Sequence, residues 1–192
     1  MTWELFVGLF HVDIPIWTLV GVSAFVFLGS AIVWVLCDTC HRRNRIVVIW
    51  TAACIFLMLW IKVLSRLSIW DNGLPWSERA FCYDLMPLWS IQYIKDGYVE
   101  IIYEKVNNVI LFTPLGVLLS CFKSQASGFK RLQKALLYGM SISITIELLQ
   151  LLTRTGMCET DDVICNTLGC VIGYGLATVI WGSFKWIKNK LL

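Results

Sequence analysis

The chain has 192 residues, of which 58% are hydrophobic and 15% are charged, and its formal net charge is +3. Ordinary globular domains contain roughly 45 to 50% apolar residues, so this composition argues against a soluble protein. The small net charge is spread over short clusters without an extended basic stripe, and we therefore expect no nucleic-acid partner. The length fits a single domain that covers residues 1–192.

Five apolar segments follow one another along the chain. In a bilayer, every backbone polar group needs an internal partner, which leaves helices or a closed barrel. Continuous apolar runs favour helices, because the strands of a barrel alternate between apolar and polar residues. We therefore predict an all-α, polytopic membrane bundle. The predicted helices are about 14–36, 46–64, 106–122, 135–152 and 163–181.

The segment between the second and third predicted helices, from about Ser65 to Lys105, is hydrophilic and rich in Trp and Tyr. Such amphipathic aromatic residues are typical of the membrane interface, so we expect this segment to lie along the membrane surface. Lys62 stands just before it. Its long side chain is expected to extend towards the lipid head groups.

Clusters of basic residues predict the orientation, because cytoplasmic loops carry an excess of Lys and Arg. The clusters follow the first, third and fifth helices, so all of them can lie in the cytoplasm if the amino terminus is outside and the carboxyl terminus is cytoplasmic. The same orientation places Cys82 and Cys158 outside, and the sequence leaves open whether they form a disulfide. The clusters are Arg42, Arg43 and Arg45; Lys123, Lys130, Arg131 and Lys134; and Lys185, Lys188 and Lys190.

Most polar residues within the predicted helices gather near the outer ends of the last three. A carboxylate such as Glu147 costs at least a few kcal/mol in hydrocarbon, so it needs a proton, a partner such as Arg154, or a hydrated cavity. The combination predicts an outer pocket for a head group or a solute. The alternative is that these residues only join neighbouring helices through hydrogen bonds. The candidate ligand-binding residues are Asn108, Glu147, Gln150, Arg154, Asp161, Asp162 and Asn166.

Asp161 and Asp162 precede an apolar helix, so we expect at least one of them to cap the free amides of that helix. With Glu159 they could also hold a divalent cation, but three acids on a loop do not define a coordination sphere. We therefore predict no metal site, and no motif indicates a cofactor.

Gly169 and Gly173 lie four residues apart in the fifth predicted helix. Small residues at this spacing let a neighbouring helix approach closely. We interpret this face as a packing surface and not as part of a binding site.

Three motifs resemble the VanZ-like family in composition and in order. An earlier element, Asp84-Leu-Met-Pro87-Leu88, resembles that family's Asn-Leu-Ile-Pro-Phe, from which Asp84 and Leu88 depart. The resemblance covers about residues 84–175. The three motifs are Asn108-Val-Ile-Leu-Phe112-Thr-Pro114-Leu-Gly116; Glu147-Leu-Leu-Gln150 with Arg154; and Asp161-Asp162-Val-Ile-Cys-Asn166-Thr-Leu-Gly169 with Gly173.

The resemblance implies a multi-pass protein of the bacterial cytoplasmic membrane, from a family linked to resistance to the glycopeptide teicoplanin. Our main hypothesis is that the outer pocket binds an envelope lipid or a lipoglycopeptide and lowers sensitivity to such antibiotics without degrading them.

Two alternatives stay open. One is an intramembrane enzyme that acts on a polyprenyl-linked or phospholipid substrate, with Glu147 or Asp162 as general base and Arg154 or a cation holding phosphate. The other is a small transporter subunit in which Glu147 carries a proton. The sequence therefore leaves open whether the chain is an enzyme and whether it forms an oligomer.

Overall fold

The computed structural model describes residues 21, 24–26, 28–29, 32, 40–64, 80–122 and 127–191. Most of the first predicted helix, 14–36, and residues 65–79 lie outside the described residues. The helices are α1 (Cys40–Leu59), a short π-helix that continues it (Trp60–Leu64), α2 (Trp89–Lys95), α3 (Glu100–Ser120), α4 (Gly128–Thr153) and α5 (Thr160–Leu191). The strands are β1 (Cys82–Asp84) and β2 (Met157–Glu159).

Four helical segments of the described residues are long and apolar enough to cross a membrane. Their outward surfaces carry large apolar side chains, including Ile49 and Val179, which are 68% and 69% exposed. In water such a surface would promote aggregation, whereas lipid is its natural surrounding. The predicted all-α membrane bundle is thus confirmed, while five spans and the orientation stay predictions. The four segments are Asn44–Leu64, Glu100–Cys121, Gly128–Thr153 and Thr160–Ser183.

The closest helix packing is between α3 and α5. A Cβ atom added at Gly169 would lie 2.1 Å from the backbone oxygen of Val109, and one at Gly173 would lie 2.0 Å from that of Thr113. Only glycine allows two helix backbones to approach so closely. The predicted packing role of this glycine face is confirmed.

All four long helices begin earlier than the hydropathy pattern predicts: α1 begins at Cys40 instead of about 46, and α5 at Thr160 instead of about 163. α3 begins at Glu100 instead of about 106, and α4 begins at Gly128 instead of about 135. Ser127 caps α4, since its side chain accepts a hydrogen bond from the Lys130 amide. The apolar pattern marks the part of a helix that lies in lipid, whereas backbone hydrogen bonding continues through the charged turns outside it.

Residues 80–95, in the later part of the hydrophilic segment, pack against the bundle, and the placement of the segment along the membrane surface stays a prediction. Strand β1 pairs in parallel with β2, with Cys82 opposite Met157, and Trp89 and Ser90 at the start of α2 are each 6% exposed. Because neighbouring residues of a strand point to opposite faces, Cys82 and Cys158 face away from each other. Both are free thiols, so they are not joined by a disulfide.

Candidate functional site

A buried ionic cluster joins five elements: the π-helix, α3, α4, β2 and α5. It consists of Lys62, Lys105, Glu147, Glu159 and Asp162, all of them buried. Asp162 is its centre, since one carboxylate oxygen lies 2.6 Å from the Lys105 ammonium and the other 3.3 Å from that of Lys62. Lys105 also donates a hydrogen bond to Glu159. Asp162 is thus held between two cations that come from different parts of the chain.

The prediction that Lys62 reaches the lipid head groups is wrong. Lys62 is 8% exposed and pairs with Asp162. It lies in the π-helix that ends the first described span, and such a turn changes the direction in which side chains leave the helix. A lysine with a buried carboxylate within reach gains a desolvated ion pair, so it points into the bundle.

Glu147 of α4 lies beside these ion pairs. One carboxylate oxygen accepts a hydrogen bond from the Glu159 amide at 3.2 Å, which places it beside the residue that Lys105 joins to Asp162. The structure thus brings together Glu147 and Asp162, which the sequence analysis singled out on separate helices. Asn108 of α3 is 2% exposed, and its side-chain nitrogen has no hydrogen-bond partner among the described residues.

A second polar layer lies one helical turn deeper. The Asn166 amide donates to the Ser143 hydroxyl at 2.8 Å, and both side chains are fully buried. Asn166 follows Asp162 by four residues and Ser143 precedes Glu147 by four, so the antiparallel helices α4 and α5 repeat their contact one turn apart. Asn166 therefore joins α4 and α5 by a hydrogen bond one helical turn away from the cluster.

Three buried oxygen atoms of these layers have no hydrogen-bond partner among the described residues: Oε1 of Glu147, Oε1 of Gln150 and Oδ1 of Asn166. An unsatisfied buried polar group costs about 1–3 kcal/mol. In native proteins such atoms are usually satisfied by ordered water or by a ligand. The polar interior of the bundle therefore has hydrogen-bonding capacity that the described side chains do not use.

Asp161 does not join the ionic cluster. Its carboxylate accepts hydrogen bonds from the Leu88 amide, from the Ser90 amide at 3.0 Å and from the Ser90 hydroxyl. Leu88 and Ser90 are at the start of α2, so Asp161 caps that helix, while Asp161 and Asp162 both lie in the first turn of α5. The reason is that the first turn of α2 presents free amides to it.

Arg154 is at the edge of the site. It ends α4 in the left-handed conformation, with φ of 54°, and its guanidinium lies 4.1 Å from the centre of the Phe81 ring. Residue 81 precedes β1, so Arg154 contacts the segment that covers the cluster.

That segment, residues 80–95, is called the cover here. The cover contacts the bundle through the β1–β2 pairing and through the hydrogen bonds to Asp161. The Trp89 ring also contributes, since its centre lies 5.4 Å from the Lys105 ammonium. A cation over an aromatic face is attracted by the ring electrons. The cover therefore shields the ion pairs from water on one side.

Glu104, Glu159 and Asp162 form a group of carboxylates in which one oxygen of each residue lies within 4.8 Å of one oxygen of each of the others. Their spacing suits a divalent cation, but the Lys105 ammonium already bonds two of the three. Burial raises the pKa of Glu159, and the nearby Asp162 carboxylate adds to that rise. Lys105 thus supplies the positive charge that a metal ion would otherwise supply.

Sequence reasoning missed two site residues, Lys62 and Lys105, and considered Glu159 only as part of a cation site. Lys105 precedes Asn108 by three residues and so shares its helix face. That spacing would have identified it if the helix had been predicted to begin at Glu100. Nothing in the sequence indicates that Lys62 turns inwards.

A family model described as VanZ/LLP1 matches residues 47–181, well over half of the chain, and this range contains every residue of the ionic cluster. No curated protein and no solved structure matches the chain significantly. The chain therefore belongs to the VanZ/LLP1 family.

Proposed function

We propose that this multi-pass VanZ-family membrane protein binds an envelope lipid or a lipidated ligand, with its apolar tail in a groove between α1 and α4. The groove, of about 180 Å³, carries the proposal. It runs between α1 and α4, within two of the segments that are long and apolar enough to cross a membrane. Its lining residues are Ile55, Leu59, Ser141, Ile142, Thr145, Ile146 and Leu149.

The position of the groove supports an amphiphilic ligand. Leu59 at one end precedes Lys62 by one turn of helix, and Leu149 lies two residues after Glu147. The groove therefore shares the depth of the cluster, but two residues turn an α-helix by about 200°, so Leu149 and Glu147 leave α4 on opposite sides. Ligand sites commonly combine an apolar lining with a few convergent polar groups.

In this proposal the cluster faces outwards from the cytoplasmic membrane of a bacterium. Binding lowers sensitivity to lipoglycopeptides such as teicoplanin by holding the lipid that they approach, or the lipidated antibiotic itself, and breaks no bond. The resemblance to a family linked to teicoplanin resistance supports this consequence, and the apolar lining of the groove supports the binding.

The test is the teicoplanin susceptibility of a sensitive bacterium that expresses the protein at matched membrane levels. We expect wild type to protect, and Glu147→Gln, Asp162→Asn and the groove-filling Thr145→Trp to protect poorly. The matched controls are Asp96→Asn, which changes an exposed aspartate outside the cluster, and Ile144→Trp, which adds the same ring to an exposed neighbour outside the groove.

Both controls should protect as wild type does. Equal protection by all variants would mean that the cluster and the groove only support the fold. A wild type that fails to protect would overturn the link to lipoglycopeptides.

A further inference from the structure

We infer that the end of the bundle opposite the ionic cluster binds the head group of an anionic phospholipid, at the seam between the start of α4 and α5. The inference goes beyond the proposed function, because it concerns the other end of the helices and different residues. It is carried by the separation of charge along the bundle and by the buried Nε of Arg131, which has no hydrogen-bond partner among the described residues.

Charge is separated between the two ends of the bundle. The ionic cluster lies near the ends of the π-helix and of α4 and at the start of α5, so α1 and α4 begin, and α5 ends, at the opposite end. All acidic residues of the described chain lie in 84–104 and 147–162, on the side of the cluster. An anion at the opposite end, called the basic end here, therefore meets no carboxylate of the described chain. The basic end carries Arg42, Arg43 and Arg45 of α1; Lys130, Arg131 and Lys134 of α4; and Lys185, Lys188 and Lys190 of α5.

Arg131 lies at the seam between α4 and α5. It precedes Ala135 and Gly139 by one and two turns. Ala135 is 1% exposed, and a Cβ atom added at Gly139 would lie 2.8 Å from the Cβ of Cys170 in α5. Residues four apart share a helix face, so Arg131 leaves α4 on the side of α5. Its Nε is a buried donor at a fixed charge, which costs free energy until an acceptor meets it.

Two exposed lysines, Lys130 and Lys134, lie on α4 next to Arg131. They are one helical turn apart, and like charges at this spacing repel each other. None of these three side chains forms an ion pair with another residue that the structure describes. A phosphate would relieve the repulsion and would accept hydrogen bonds from the planar guanidinium, which suits its oxygens.

The position of the seam identifies the phosphate as that of a lipid. α4 begins where its apolar span begins, at Gly128, whereas α5 continues as a helix beyond the end of its span at Ser183. In that extension Trp186 is 61% exposed, and its ring centre lies 4.3 Å from the Lys190 ammonium. Trp residues at the ends of apolar spans are typical of the head-group layer. Basic residues beside a span attract anionic lipids in that layer.

The experiment is lipid titration of the purified full-length protein in detergent, followed by native mass spectrometry. The probes are phosphatidylglycerol and phosphatidylcholine with identical acyl chains, of which only phosphatidylglycerol has a net negative charge. We expect phosphatidylglycerol to bind about tenfold more tightly, since each Lys or Arg near an anionic lipid adds about fivefold and more than one takes part. Binding in the apolar groove involves the shared acyl chains, so it does not change this ratio.

The variants locate the preference. Arg131→Gln removes both the charge and the guanidinium, and we expect it to reduce the preference about fivefold. Arg131→Lys keeps the charge without the planar donors and should restore only part of it. Lys95→Gln is the matched control, because it removes an exposed positive charge on the side of the ionic cluster, and it should keep the wild-type preference.

Equal binding of the two lipids by wild type would overturn the inference, and this comparison needs no variant. A preference that Arg131→Gln keeps in full would exclude the seam as the site. An equal loss in Lys95→Gln would show that the preference follows the net charge of the protein. Glycerophosphoglycerol, the same head group without acyl chains, should not compete, and effective competition would assign the site to a soluble anion instead of a lipid.

Discussion

Asp162 illustrates how a buried charge is kept at the end of a membrane bundle. Its two oxygens are shared between Lys62 and Lys105, and Lys105 also holds Glu159. A buried ion pair that merely replaces apolar packing adds little stability, whereas breaking one by removing a single partner is costly. The ionic cluster should therefore respond strongly to single substitutions and less to paired ones.

Lys105→Met gives the residue-scale prediction. It leaves Glu159 without its lysine and Asp162 with Lys62 alone, so we expect the free energy of unfolding to fall by about 3–5 kcal/mol. Thermal unfolding in detergent measures the change as a lower Tm. Glu159→Gln added to Lys105→Met should recover part of the loss, because it removes one of the uncompensated charges.

Lys130→Met is the matched control, since Lys130 is exposed at the start of α4, and its Tm should stay near that of wild type. A Tm for Lys105→Met equal to the control would show that the Lys105 pairs add nothing to stability.

At the scale of elements, the ionic cluster depends on how closely α3 and α5 approach. Gly169 lies against the backbone of α3 at Val109, one residue after Asn108, so the glycine contact sets the separation at which Lys105 meets Asp162. The glycine packing face and the ionic cluster therefore depend on the same separation of α3 and α5, although their residues carry different chemistry.

We expect Gly169→Ala to lower the Tm strongly, because its Cβ would overlap a backbone carbonyl that cannot rotate away. Overpacking of this kind costs about 1–3 kcal/mol or more. Gly175→Ala is the control on the same helix, where a Cβ meets nothing within 4 Å. Equal Tm values for the two variants would refute the close approach of α3 and α5.

At the scale of the whole molecule, the orientation decides which side of the membrane the cluster serves. The predicted topology has an odd number of spans, with the amino terminus outside and the basic loops in the cytoplasm. Amino-terminal and carboxyl-terminal epitope tags on separate copies test it in right-side-out vesicles exposed to protease. We expect cleavage of the amino-terminal tag alone. Cleavage of both tags, or of neither, would indicate an even number of spans.

The sequence by itself determined the membrane class and the helical fold, because long apolar runs form helices in lipid. It also determined the family, because the motifs and their order can be read without coordinates. It also identified Glu147, Asp162 and Asn166 as residues to examine, since a polar side chain in an apolar helix costs free energy unless it has a partner. These inferences rest on composition and local spacing, which a single chain displays directly.

Only the tertiary structure decided which partners those residues meet. Lys62 turns inwards and meets a carboxylate 100 positions later in the chain, and Asp161 caps a helix that begins more than 70 residues earlier. Hydropathy cannot tell a lysine that reaches head groups from one that pairs inside the bundle, because both stand at the end of an apolar run. The difference depends on whether packing brings an opposite charge within reach, and packing is a property of the folded chain.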